Sequence, residues 1–170
     1  MLDNGDLIFV RDESDMGQAI QTSTGNYSHV AIYLDGMIYH ASGKAGVICQ
    51  EPADFFESNH LYDLYVYPEM DIQSVKERAC KHLGAPYNAS FYPDGAGFYC
   101  SQYIAEILPI FETIPMKFGA GEQEISDFWR EYYRKLGLPV PLNQAGTNPS
   151  QLAASPLLEC KERNLHDSDF

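Results

Sequence analysis

Residues 28–41 read SHVAIYLDGMIYHA, and this stretch decides the fold. Two runs of strand-forming residues flank Asp35 and Gly36, and an Asp-Gly pair in that setting is the strongest short-range signal for a β-hairpin. The hairpin places His29 at the outer end of one strand and His40 near the same end of the next. Neighbouring strands hold facing side chains roughly 5 to 8 Å apart, so one imidazole can orient the other if both share a face.

The rest of the chain continues in short strands followed by helices, which is typical of a single α+β domain. Further strands are predicted over residues 7–10, 46–50 and 61–67. Helices are predicted over residues 16–21, 71–83, 98–108 and 126–136. Four prolines after Gly137 exclude a long helix there, and the polar end of the chain, 160–170, is expected to be frayed.

Composition and charge limit the classes of function. The chain has 170 residues, 45% of them hydrophobic, which is enough for one domain with a sizeable core. A net charge of −13 opposes the phosphate neutralisation that nucleic-acid binding needs, so no nucleic-acid partner is expected. The apolar runs are too short for a membrane span, and no signal peptide is visible. We therefore expect a cytoplasmic protein, or a periplasmic or extracellular one if a leader was removed.

Among the four cysteines, Cys100 stands out by its position. Cys49, Cys80, Cys100 and Cys160 lack the close spacing of a zinc site, and nothing supports a disulfide framework. Cys100, however, lies where a Gly-rich loop, 85–97, gives way to a helix. A helix N-terminus lowers the pKa of a thiol and offers N–H groups to an oxyanion. The alternative is that Cys100 is a buried packing residue, as most free cysteines are.

A thiol nucleophile needs an imidazole base and a third group that orients the imidazole. His29 and His40, at one end of the hairpin, fit these two roles. Two alternatives stay open for the pair, namely a metal site and polar residues that cap a sheet. The other histidines are expected to be structural or solvent-exposed: His60, His82 and His166.

The order of these motifs resembles the circularly permuted branch of the NlpC/P60 superfamily of papain-like enzymes. That branch includes the YiiX-like proteins and the relatives of lecithin:retinol acyltransferase. Unpermuted members place the cysteine helix before the histidine strand, whereas here the His29 strand comes first. The likeness spans residues 5–108, from Gly5-Asp6-Leu7-Ile8-Phe9 through Gly84-Ala85-Pro86-Tyr87 to Phe98-Tyr99-Cys100-Ser101-Gln102. Residues 109–170 are then an accessory helix and a Pro-rich tail of one domain covering residues 1–170.

The resemblance implies a permuted papain-like fold, in which a small antiparallel sheet packs against helices and most strands precede the nucleophile helix. It implies Cys100 as the nucleophile, His29 as its base and His40 as the polar third member, with no metal or organic cofactor. The residues expected to bind substrate beside them are Tyr87, Tyr99 and Ser28.

The expected reaction is the cleavage of an amide or ester bond through a thioacyl intermediate, ending in hydrolysis or in transfer to another acceptor. The expected substrate is either a peptide, such as a cell-wall amide, or a lipid-like acyl group. Two other functions stay open at this point. One is a non-catalytic binding module on the same fold. The other is a glycoside hydrolase using Glu122, Glu124 and Asp127.

Overall fold

The structure, a computed structural model, describes residues 1–57 and 59–170. Its strands are β1 (Leu7–Arg11), β2 (His29–Leu34), β3 (Met37–Ser42), β4 (Gly46–Gln50), β5 (Leu61–Val66), β6 (Ile114–Pro115), β7 (Ala145–Gly146) and β8 (Glu159–Leu165). Six of them form an antiparallel sheet in the order β4-β3-β2-β1-β5-β8. β6 and β7 pair separately.

The helices are α1 (Asp15–Thr24), α2 (Pro52–Phe55), α3 (Ile72–Lys81), α4 (Cys100–Ile107), α5 (Asp127–Leu136) and α6 (Pro149–Ala153), with a 3₁₀ turn at Asp167–Asp169. Ser14, Asp71 and Ser126 cap α1, α3 and α5 by accepting a backbone N–H bond. Within the described residues, none of these helices has the length and apolar character that crossing a membrane requires.

The α+β class and the hairpin are confirmed. Asp35 and Gly36 both have positive φ angles, 48° and 88°, which suits a tight two-residue turn between Leu34 and Met37. Because the turn fixes the register, β2 and β3 pair as neighbours in the middle of the sheet.

The prediction of a frayed polar tail is wrong. Residues 159–165 form β8, which pairs with β5 at the edge of the sheet. The Nζ atom of Lys161 lies 2.6 Å from the buried carboxylate of Asp6, and the N–H of Asn164 donates to Asp63. These partners lie about a hundred residues or more away in sequence, so a local pattern of polar residues does not reveal them.

The two faces of the sheet carry different layers. On one face, α4 packs against β2 and β3, with Val30 and Ile32 in the same core as Ile104. On the other face, Ala31 packs in a second core with Phe55 of α2. This alternation along β2 decides which way each side chain of the candidate site points.

Residues beyond α4 form a third core over one end of α4. The members buried in it are Met116, Phe118, Trp129 and Tyr133. α5 supplies the last two, and its N-cap Ser126 fixes where the helix begins. The segment after 109 therefore lies against the N-terminal end of α4, where Cys100 is found.

Candidate active site

Cys100 is the first residue of α4 and is only 6% exposed. The side chain of Gln102 accepts the backbone N–H of Tyr99, which helps to fix the start of the helix. Backbone N–H groups of Val30, Ser101 and Cys100 itself lie close enough to the sulfur to favour its thiolate form. Such donors can also stabilise an oxyanion that forms beside the sulfur.

Burial nevertheless dominates the electrostatics of the thiol. It raises the pKa of Cys100 to about 12, against the opposing effect of the three N–H groups. The resting side chain is therefore a neutral thiol at physiological pH. Attack on a substrate then requires a base that removes the proton as the new bond forms.

His29 and His40 form one hydrogen-bonded pair, as their placement on the hairpin predicted. His29 Nε2 lies 2.9 Å from His40 Nδ1, and the rings are nearly perpendicular with centroids 5.0 Å apart. His40 Nε2 in turn lies 2.5 Å from Oε1 of Gln50. Both rings pack near Phe55, on the face of the sheet opposite α4.

The placement of the Gln50 oxygen sets the direction of this chain. A carbonyl oxygen only accepts, so His40 carries its proton on Nε2 and its Nδ1 is an acceptor. His29 then donates from Nε2 to His40, which leaves His29 Nδ1 unprotonated. This series of hydrogen bonds thus leaves His29 Nδ1 as an unprotonated nitrogen that can act as a base.

Both imidazoles are neutral in this setting. Burial, with a further contribution from nearby His40, lowers the pKa of His29 to about 3, while Asp12 acts in the opposite direction. Burial also lowers the pKa of His40, opposed by its hydrogen bond with Gln50. A neutral His29 can accept a proton, which is the state that a general base needs.

Cys100 and His29 approach each other at the peptide that joins His29 to Val30. The N–H of Val30 faces the Cys100 sulfur, whereas the His29 ring packs near Phe55 on the other face of the sheet. No direct hydrogen bond joins the thiol to either histidine within the described residues. The structure therefore brings His29 and His40 together, and brings Cys100 to the backbone beside them.

The three residues expected to bind substrate all line one cavity with Cys100. This cavity holds about 60 Å³ and is mostly apolar. Ser28 forms one wall and donates to Asp12, while the Tyr99 hydroxyl accepts the N–H of Thr147. Tyr87 is buried there, which raises its pKa well above the ordinary value and keeps its hydroxyl protonated.

The histidines open into a second, larger cleft of about 490 Å³. Its charged and titratable members among the described residues, besides the histidine pair, are Asp12, Lys44, Asp54, Glu57, His60 and Tyr62. No residue in the described part of the chain lines both cavities. Ser28 belongs to the first and His29 to the second, so the boundary between them runs through consecutive residues of the chain.

Sequence patterns missed several residues of these cavities. Met116, Phe118, Trp129 and Thr147 line the Cys100 cavity but follow the last recognised motif. Gln50 was also missed, although Ile48 faces His40 in β4 and residue 50 returns to the same face. The pairing register of β3 with β4 is the signal that could have identified Gln50.

The other singled-out residues lie elsewhere. Glu122, Glu124 and Asp127 are exposed and line neither cavity, so no carboxylate pair for glycoside hydrolysis is placed at this site. His82 lies near Glu106, and His166 precedes the final 3₁₀ turn. His60 lines the histidine cleft.

Comparison with known proteins decides the family. A family model described as permuted papain-like amidase enzyme, YaeF/YiiX, C92 family, matches residues 1–160. This chain belongs to the permuted papain-like amidases of the C92 family. The C92 assignment confirms the expected YiiX-like relationship and makes the chain a papain-like cysteine hydrolase.

A solved structure supports the C92 fold independently. The crystal structure of metalloprotein YiiX from Escherichia coli O157:H7 matches with a TM-score of 0.75 and 21% sequence identity. The match covers 95% of this chain and 97% of that one, so the permuted papain-like architecture extends over nearly the whole molecule. No curated protein sequence matches the chain.

Proposed function

We propose that this C92 protein is a cysteine amidase in which Cys100 is the nucleophile, His29 the general base and His40 the group that orients His29. The observations that carry the proposal are the hydrogen-bonded series from Gln50 through His40 to His29, which leaves His29 Nδ1 unprotonated, and the position of the Cys100 sulfur against the backbone N–H of Val30, the residue after His29. A hydrogen-bonded third group that fixes the tautomer of a base is the arrangement that a thiol nucleophile requires.

The first half of the reaction forms a thioester. The Cys100 sulfur attacks the carbonyl carbon while its proton passes to His29 Nδ1, and the carbonyl electrons move to the oxygen. N–H groups near the sulfur stabilise that oxyanion. When the tetrahedral intermediate collapses, the C–N bond breaks and the proton on His29 passes to the leaving amine. Water then releases the acyl group by the reverse sequence.

The two cavities correspond to the two products of this reaction. The acyl part of the substrate stays bonded to sulfur and occupies the apolar cavity beside Cys100. The leaving amine takes its proton from His29 and occupies the polar cleft beside the histidines. A cavity of about 60 Å³ has room for about two water molecules. This size favours a short acyl group over a long lipid chain.

A metal ion is not part of the proposal. The related YiiX structure is titled a metalloprotein, but in the described part of this chain no three His, Cys, Asp or Glu side chains are close enough to hold a metal ion. His29 Nε2 and His40 Nδ1 are also occupied by each other. These residues do not fit a metal centre, and no step is derived through one.

The burial of Cys100 favours one second candidate. A thiol that is 6% exposed is also what a non-catalytic binding module on this fold would contain. The two functions differ in a simple respect, because only the amidase must admit a carbonyl to the sulfur.

Hydrolysis of p-nitrophenyl acetate tests the proposal, since an acetyl group suits the small cavity. We expect Cys100→Ala to remove turnover while Cys49→Ser, which alters an exposed cysteine, retains it. The same variants are compared on acetyl-amino-acid anilides to test amide cleavage. Equal turnover by wild type and Cys100→Ala would refute the amidase, and no turnover by either would favour the binding module.

A further inference from the structure

Asp12 follows β1 directly and lies beside His29 at the mouth of the histidine cleft. Val10, two residues before Asp12, is the cross-strand partner of His29. The carboxylate is held on both oxygens. Oδ1 accepts from the backbone N–H and the hydroxyl of Ser14, and Oδ2 accepts from the hydroxyl of Ser28 at 2.7 Å. Asp12 is thus fixed in place rather than free in solvent.

Gly17 provides the space that this carboxylate occupies. A Cβ atom added at position 17 would come within 1.9 Å of Asp12 Oδ1. The first turn of α1 therefore packs directly on the carboxylate, and glycine is the residue that permits it. The Asp12 carboxylate is therefore fixed by two kinds of contact. It accepts hydrogen bonds from Ser14 and Ser28, and the first turn of α1 packs on it at Gly17.

The hydrogen-bonded chain of the proposed base contains no charge of its own. It runs from His29 to His40 and ends on the neutral amide of Gln50. In a triad ending on a carboxylate, that carboxylate stabilises the imidazolium formed during attack. Here the corresponding negative charge must come from a residue outside the His29–His40–Gln50 series.

The charged groups that face His29 show which residue supplies this negative charge. The described residues of the cleft that titrate or carry charge, besides His29, are Asp12 after β1, His40 in β3, Lys44 before β4, Asp54 in α2, Glu57 and His60 before β5, and Tyr62 in β5. Asp54 and Glu57 are exposed, and Asp12 is the half-buried carboxylate of the set. Asp12 is also the group that favours the protonated form of His29, whereas His40 and His60 oppose it.

We propose that Asp12 is a positioning residue of the amidase site, which stabilises protonated His29 through space while its bond to Ser28 holds the strand that separates the two cavities. This inference rests on the proposed function, because it assigns Asp12 a role in the same proton transfer. It adds a residue outside the cysteine and histidine motifs. The sequence around Asp12 gives no signal for it.

Two variants separate the effect of the Asp12 charge from that of its hydrogen bond with Ser28. Asp12→Asn removes the charge but keeps one acceptor oxygen for Ser14, and its NH2 can donate to the Ser28 hydroxyl oxygen while that hydroxyl donates to Val10 O. Ser28→Ala removes the bond between Ser28 and Asp12 and keeps the charge. We expect Asp12→Asn to lower kcat for p-nitrophenyl acetate at least about tenfold with little change in KM, because His29 becomes a weaker base. Ser28→Ala should lower kcat by less than about threefold at neutral pH.

Asp15→Asn is the matched control, because it makes the same change in net charge at an exposed position in the first turn of α1. We expect it to retain wild-type kcat. Thermal unfolding of each variant checks that the fold is retained. Equal losses in Asp12→Asn and Ser28→Ala would show a purely structural role, and wild-type kcat in Asp12→Asn would refute the inference. If Cys100→Ala matches wild type, the proposed function itself fails.

Discussion

At the scale of single residues, the protonation states of Cys100 and His29 set the pH dependence of the site. Both groups are neutral at rest because burial raises the pKa of the thiol to about 12 and lowers that of the imidazole to about 3. The site therefore starts from a neutral pair rather than from a thiolate–imidazolium ion pair. In the proposed mechanism, proton transfer then occurs within the attack itself.

Alkylation by iodoacetamide should report the raised thiol pKa directly. Iodoacetamide reacts with the thiolate, so labelling of Cys100 should rise by about tenfold per pH unit from pH 7 to 10 without reaching a plateau. Peptide mapping by mass spectrometry separates Cys100 from exposed Cys160, which serves as the accessibility control. A plateau for Cys100 below pH 9 would contradict a buried, neutral thiol.

The buried neutral His29 should also make stability depend on pH. Its pKa lies at about 3 in the folded protein against an ordinary value of 6.5. Between these values the unfolded chain binds more protons, so stability is complete above pH 6.5 and falls as the pH decreases toward 3. The contribution has a slope of at most about 1.4 kcal/mol per pH unit.

Urea unfolding at a series of pH values measures this slope. We expect His29→Asn to have a shallower dependence than wild type across the same range, because it removes the titrating group. His166→Asn, at an exposed position near the chain end, is the control. Parallel curves for wild type and His29→Asn would show that His29 is not held neutral by burial.

At the scale of elements, the loop before α4 places Cys100. Phe98 donates its N–H to Pro86 O and accepts from the N–H of Asn88, so two short segments run side by side just before Cys100. Gly97 permits this close approach. Its φ angle is 79°, and an added Cβ would lie 1.8 Å from Pro86 O.

Gly97→Ala should therefore displace the start of α4. Gly84 is a matched control, since it also has a positive φ angle, 88°, but has no atom within 4 Å of an added Cβ. Gly84→Ala should cost about 1 kcal/mol from the backbone conformation alone. Gly97→Ala should cost more and should also lower the rate of Cys100 acetylation. Equal losses of stability in the two variants, measured by urea unfolding, would show that the close contact between residue 97 and Pro86 O adds no cost.

The elements also show what local sequence can and cannot predict. The hairpin around Asp35-Gly36 and the capped starts of α3 and α5 are set by neighbouring residues, so sequence patterns located them. β8 is polar at most positions and depends on distant Asp6 and Asp63, which no local pattern contains. The pairing of His29 with His40 followed from the turn, but Gln50 required the register of the next strand.

At the scale of the whole molecule, the segment after α4 lines much of the Cys100 cavity. Trp129 of α5 packs with Phe118 and donates its indole N–H to Ser23 of α1. This contact joins two elements more than a hundred residues apart over the Cys100 end of α4. Residues 109–170 thus shape the site from outside the recognised motifs, which is why the sequence alone left the substrate open.

Removal of the Trp129 ring should change the preferred acyl length. We expect Trp129→Ala to raise kcat/KM for p-nitrophenyl hexanoate relative to the acetate by about tenfold, because the cavity then admits a longer chain. Phe128→Ala is the control, since Phe128 precedes Trp129 but does not line the cavity. An unchanged ratio of the two esters in Trp129→Ala would place the acyl group elsewhere.

The most direct test of the central claim is the rate at which Cys100 becomes acetylated by p-nitrophenyl acetate, followed on the Cys100 peptide by quenched-flow mass spectrometry. The account predicts a transient acetyl adduct on Cys100 in the wild type, formed at least about a hundredfold more slowly in His29→Asn. Equal rates in wild type and His29→Asn would contradict His29 as the base. Acetylation confined to Cys49, Cys80 and Cys160 would contradict Cys100 as the nucleophile.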